Sequence, residues 1–153
     1  MRSTTATALL ILLAGGTAAA QAPAMSPPPL KWGPAPAIFP AGAQMAVLQG
    51  DPSGTAEFTV RLRFPNGYKI APHTHPTDEN VTVISGSFRV GMGNTFDPKT
   101  MMTLPAGGFV TAPANGAHYA VARGATVVQV HAMGPFAMTY VNPADAPRIG
   151  ARK

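Results

Sequence analysis

Residues 67–86 read GYKIAPHTHPTDENVTVISG. His73 and His75 stand two apart, and Glu79 follows four residues later. On extended backbone, residues i and i+2 point to the same side, so the two imidazoles can be offered to one point. Glu79 shares parity with Val81 and Val83 in a β-branched run, which puts its carboxylate on the inner face of the next strand. A buried carboxylate without a partner is costly, and a metal ion would remove that cost. Neutral imidazole is a ligand for zinc, copper, iron and nickel, and a carboxylate adds an oxygen donor that suits iron and manganese.

Outward from this stretch the chain reads as short strands between turns. On its N-terminal side, residues 44–49 are a short apolar run and residues 50–54 (GDPSG) a turn. Residues 56–64 then alternate, with Phe58, Val60, Leu62 and Phe64 on one face and Glu57, Thr59, Arg61 and Arg63 on the other. That period of two is the mark of a half-buried strand. Pro65-Asn66-Gly67 turns the chain into the histidine stretch. On its C-terminal side, strands are expected over residues 80–84, 87–90, 101–104, 109–112, 118–122, 126–131 and 136–141, bounded by glycine, proline or asparagine. No window holds a 3.6-residue period, and turn signals recurring at roughly 8–12 residues point to an all-β sandwich or small barrel.

Composition agrees. The 153 residues are 46% hydrophobic and 11% charged, with 16 glycines and 17 prolines, which favours many short strands and turns over long solvated helices. The absence of cysteine excludes disulfides, zinc fingers, iron–sulfur clusters and thiol nucleophiles. The formal net charge of +5 misleads, because Arg2, Arg148, Arg152 and Lys153 sit at the chain ends and the body is nearly neutral. With no basic stripe and no interleaved aromatics, a nucleic-acid partner is not expected.

The frame around the histidines is Gly67, His73, His75, Glu79 and Gly86, that is, G-x5-H-x-H-x3-E-x6-G. It resembles the first signature of the cupin superfamily. The second cupin signature, G-x5-P-x-G-x2-H-x3-N, is matched at Gly107, Pro113 and His118, while Asn115 replaces its second glycine and Ala122 its asparagine. Asparagine tolerates positive φ better than most residues, so the turn can survive the first change. The resemblance implies an all-β double-stranded β-helix, a jelly-roll barrel, over residues 44–143. It also implies a 3-His-1-Glu metal set at His73, His75, Glu79 and His118, holding one divalent transition metal, with iron, manganese, nickel, zinc and copper not distinguished. No catalytic residue is assigned beyond these ligands.

The flanking segments complete the organisation. Met1 and Arg2, an apolar run of 11 residues (6–16, ATALLILLAGG) and small-x-small patterns at residues 18–22 have the layout of a signal peptide, expected over residues 1–22. The mature chain is therefore expected to be secreted, periplasmic in a Gram-negative cell, and free of the membrane after cleavage. Residues 23–43 are a proline-rich arm with Trp32, Ile38 and Phe39 as docking points, and residues 144–153 a C-terminal tail. Small cupins often pair through sheet edges and arms, so the resemblance implies a homodimer. In residues 128–131 either Val128 and Val130 or Gln129 and His131 face the interior, and the sequence leaves both open.

Four protein ligands leave up to two positions open on an octahedral metal, as catalytic sites do. The inner strand faces carry no lysine or arginine, so a small, mostly apolar substrate that chelates through oxygens is expected: a dicarbonyl, an enol or a phenol. The first reading is a metal-dependent cupin oxygenase. Its alternatives are a non-catalytic protein that binds a metal or small ligand, and a metal-assisted isomerase or lyase.

Overall fold

Two long strands organise the barrel, and most of the other strands pair with one of them. The computed structural model describes residues 29–147. The signal peptide expected over residues 1–22, the start of the arm and residues 148–153 of the tail lie outside the described residues. In chain order the elements are β1 (Gly33–Pro34), β2 (Gln44–Gln49), β3 (Glu57–Phe64), β4 (Lys69–Thr74), β5 (Glu79–Met92), β6 (Met102–Pro105), β7 (Phe109–Ala112), β8 (His118–Met133), β9 (Thr139–Tyr140) and a 3-10 turn at Pro143–Asp145. All nine strands join one sheet.

β8 pairs β5 along most of its 16 residues, β3 through its second half (Glu57↔Met133 to Phe64↔Thr126) and β4 through its first (Lys69↔Val121 to His73↔His118). β5 likewise holds β7 on its first half and β6 on its second. Two long strands that change partners midway curl the sheet on itself, and the result is the all-β jelly-roll barrel. The breaks expected at Ser85-Gly86-Ser87 and near Gly124 are bends within continuous strands. Gly86 makes the first bend possible: its φ is +81°, and a Cβ there would lie 2.5 Å from the Ala125 carbonyl oxygen. Thr126, fully buried, donates its hydroxyl to the Ser87 carbonyl across the bend.

The alternation in β3 is realised. Phe58, Val60, Leu62 and Phe64 are buried and meet Val81, Val83, Phe88, Val128 and Val130 in one core. Val128 and Val130 face inward, and Gln129 and His131 therefore face out. Gln129 accepts from Arg61 Nε, and His131 Nδ1 lies 2.9 Å from the Thr59 hydroxyl. That contact explains why Thr59, on the outer face, is nonetheless buried.

The described part of the arm packs on its own barrel. Phe39 is buried, tilted against Phe64 and Phe136 at centroid distances of 6.4 and 5.9 Å. The hydroxyls of Tyr68 and Tyr140 donate to the carbonyls of Pro40 and Ile38. Trp32 lies beneath the Arg63 guanidinium, 4.0 Å from its ring centroid.

Candidate metal centre

The cluster forms where three elements reach the same end of the barrel. His73 is near the end of β4, His118 opens β8 directly across from it, and Glu79 opens β5. His75 lies one residue past β4, in the short turn that leads to Glu79. Two turns lock this end together. Asn115 donates its backbone N–H to the His75 carbonyl (2.8 Å), and Asp78 accepts the Ala114 N–H (2.7 Å). Asn115 has φ +59°, so it takes the left-handed conformation that the missing glycine would have supplied, and the turn into His118 is preserved.

One donor nitrogen from each of His73, His75 and His118 lies within 4.8 Å of the other two. Among the described residues this mutual grouping takes in the three histidines and leaves out Glu79, which approaches two of them. Its Oε2 is 3.5 Å from His75 Nε2 and 3.4 Å from His118 Nε2. All four side chains are buried.

The hydrogen bonds decide how these groups face one another. His73 Nδ1 is 2.7 Å from the Ala71 carbonyl, His75 Nδ1 is 2.7 Å from the Ala137 carbonyl, and His118 Nδ1 is 3.2 Å from the Gly116 carbonyl. Carbonyl oxygens only accept, so each Nδ1 carries a proton and each ring turns its Nε2 inward, where a neutral ring offers a lone pair. The fourth group, Glu79, is also an acceptor when ionised. His75 Nε2 is buried with no hydrogen-bond partner. His118 has an acceptor at each nitrogen, the Gly116 carbonyl at Nδ1 and Glu79 Oε2 at Nε2. Inward lone pairs, each ring held by a backbone carbonyl behind it, are what a bound divalent metal requires.

Burial is the main cause that pushes His73 down to about 3, reinforced by the neighbouring His118 ring and opposed by the bond to Ala71. Burial also acts to raise Glu79, but the hydrogen bond from His118 and the electrostatic pull of His75, His118 and His73 outweigh it and hold the carboxyl below its usual range. The site thus keeps a charged carboxylate beside a neutral His73.

Behind the cluster lies a partly open cavity of about 30 Å³, lined by His73, Glu79 and His118 and by apolar walls that include Phe64, Val81 and Phe88. Sequence motifs gave no sign of two further neighbours. Phe136 stacks on His75 at 5.8 Å and 18°, and Met138 closes part of the cavity wall. Both sit in the segment after β8 expected as a strand over residues 136–141, of which only Thr139–Tyr140 pairs, so Phe136 and Met138 lie on irregular backbone.

A curled jelly-roll with a histidine cluster at one end of the barrel defines a cupin. The chain belongs to the ChrR cupin-like domain family, whose family model matches residues 24–137. Comparison with curated proteins gives no match. Among solved structures the chain is similar to a candidate acetylacetone dioxygenase from Methylibium petroleiphilum PM1, at 23% identity over 78% of this chain and 80% of that one, with a TM-score of 0.60. It is also similar to the polyketide cyclase RemF from Streptomyces resistomycificus (16% identity, 77% and 84% covered, TM-score 0.62). A third is an RmlC-like cupin from Shewanella frigidimarina NCIMB 400 (17% identity, 68% and 83% covered, TM-score 0.54). The activities named for these proteins differ, so the likeness reports the barrel and leaves the chemistry to the site.

Proposed function

We propose that this protein is an exported, metal-dependent oxygenase of the cupin type. It would hold one divalent transition metal on His73, His75, Glu79 and His118 and act on a small, mostly apolar molecule that chelates through oxygens. The observation that carries the reading is the inward set of acceptors: three imidazole nitrogens whose partner nitrogens are spent on carbonyls, beside a buried carboxylate. Such a set repels itself unless a cation lies among its members.

When bound, the metal would supply Lewis-acid polarisation of the substrate's oxygens. The protein's own groups do the rest. The carbonyls of Ala71, Ala137 and Gly116 fix each ring's orientation and tautomer. Glu79, held ionised, can take up at Oε2 the acidic proton of an enol or phenol. The apolar walls keep water from the reacting atoms and offer no cation to a phosphate or carboxylate substrate. The name of the Methylibium structure belongs to the same substrate class and supports the choice of a dicarbonyl.

The size of the cavity favours a second reading, a protein that holds a metal without turnover. The room behind the cluster is about 30 Å³, space for about two water molecules. Oxygen uptake separates the two. Iron- or manganese-loaded protein consuming dioxygen with a diketone or phenol supports the oxygenase. Turnover without uptake would make it an isomerase or lyase, and stoichiometric metal with no turnover of any substrate on the panel would leave the binding reading.

A further inference from the structure

The cavity behind the histidines is too small for the chelating substrate, so something in its wall has to move. On the flank past His75, Phe136 and Ala137 leave a void with no room for a water molecule. Phe39 is wedged between Phe64 and Phe136 and is fixed through the arm by the Tyr140 bond to the Ile38 carbonyl (2.9 Å). Met138 is different. It lines the inner cavity and also an open outer groove of about 320 Å³, which Ile38, Tyr140, Pro143 and Pro147 help to form. It is half-buried against the core.

The backbone on either side of Met138 is tethered to the cluster. The carbonyl of Ala137 accepts from His75 Nδ1, and Tyr140 pairs with His73 in β4. The segment is therefore held while the side chain keeps the freedom of an unbranched thioether with three rotatable bonds. The groove falls at the low end of the range typical of small-ligand sites, roughly 300–1,000 Å³, and its lining is mostly apolar.

We propose that Met138 is the gate between this groove and the histidine cluster, and that its rotation joins the two into one site for a flat, apolar molecule whose oxygens reach the cluster. The need for an opening and the identity of the ligand rest on the function proposed above; the position of Met138 between the two spaces does not.

Diethyl pyrocarbonate tests the gate on metal-free, full-length protein. It transfers an ethoxycarbonyl group to a neutral imidazole nitrogen, releasing carbon dioxide and ethanol, and peptide mass spectrometry reads each histidine separately. Met138→Ala should speed modification of His73, His75 and His118 by about tenfold, because the rate scales with the open fraction. His131, half-exposed on the outer face, should be unchanged and serves as the internal standard. Met138→Phe should slow the same three below wild type. Equal rates in all three proteins overturn the proposal, as does acceleration of His131 by the same factor. Acceleration by Phe136→Ala with none by Met138→Ala places the opening elsewhere and also overturns it. Metal uptake by wild-type protein is measured separately, so failure of the gate and failure of the metal reading give different results.

Discussion

Replacing His73 with glutamine should flatten the acid sensitivity of the metal-free protein. In the fold this ring is 2% exposed and its pKa is pushed down to about 3 from 6.5. The unfolded chain takes a proton there as pH falls through about 6.5, while the folded chain stays neutral until about 3. Between those values the unfolded state binds more protons, so stability is full above about pH 6.5 and is lost progressively as pH falls. For one group with these two values the loss is about 2 kcal/mol at pH 5 and about 3 kcal/mol at pH 4. With a urea dependence of about 1–3 kcal/mol/M, the step from pH 7.5 to pH 5 should lower the urea midpoint by about 1 M. Glu79 is held below its usual range, so its own contribution is lost at lower pH, and working at pH 5 keeps it largely out of the comparison. The assay is urea unfolding of chelator-treated wild type and His73→Gln at both pH values and constant ionic strength. The variant will be less stable throughout; the quantity of interest is the difference between the two pH values. If wild type and variant lose the same amount from pH 7.5 to pH 5, His73 is not a buried neutral imidazole and the arrangement of the cluster is wrong.

His75→Ala and His118→Ala should each lose most of the bound metal by element analysis, whereas His131→Ala, on the outer face, should keep it. Gly86→Ala should cost about 2 kcal/mol or more, from positive φ and the contact with the Ala125 carbonyl, and calorimetry would read it; an unchanged melting temperature would mean that the β5 bend does not need glycine. Mass spectrometry of protein from its native host should find a chain that begins near Gln21 or Pro23, and a chain still starting at Met1 would refute cleavage. Light scattering should report about twice the chain mass, and a monomer at high concentration would count against pairing.

The sequence by itself determined the strand class and which polar residues come together at the candidate site, because both are written in short-range spacing. Alternation in residues 56–64 fixes which side chains are buried without knowing the partner strand. The interval from His73 to Glu79 fixes three of the four polar groups, since they lie within one strand end, one turn and the next strand start. Asn115 is legible for the same reason: a turn residue's conformation depends on its immediate neighbours. What the tertiary structure decided depends on pairing between distant segments. The parity of residues 128–131 is symmetric in the sequence, and the barrel chose Val128 and Val130 because β3 and β5 present apolar faces to them. Gly86 and Gly124 look like strand ends, yet β5 and β8 run through both as bends, since each long strand gains a second partner beyond its glycine. Phe39 and Met138 carry no motif and lie far in sequence from His75, and only closure of the barrel brings them to the wall of its cavity.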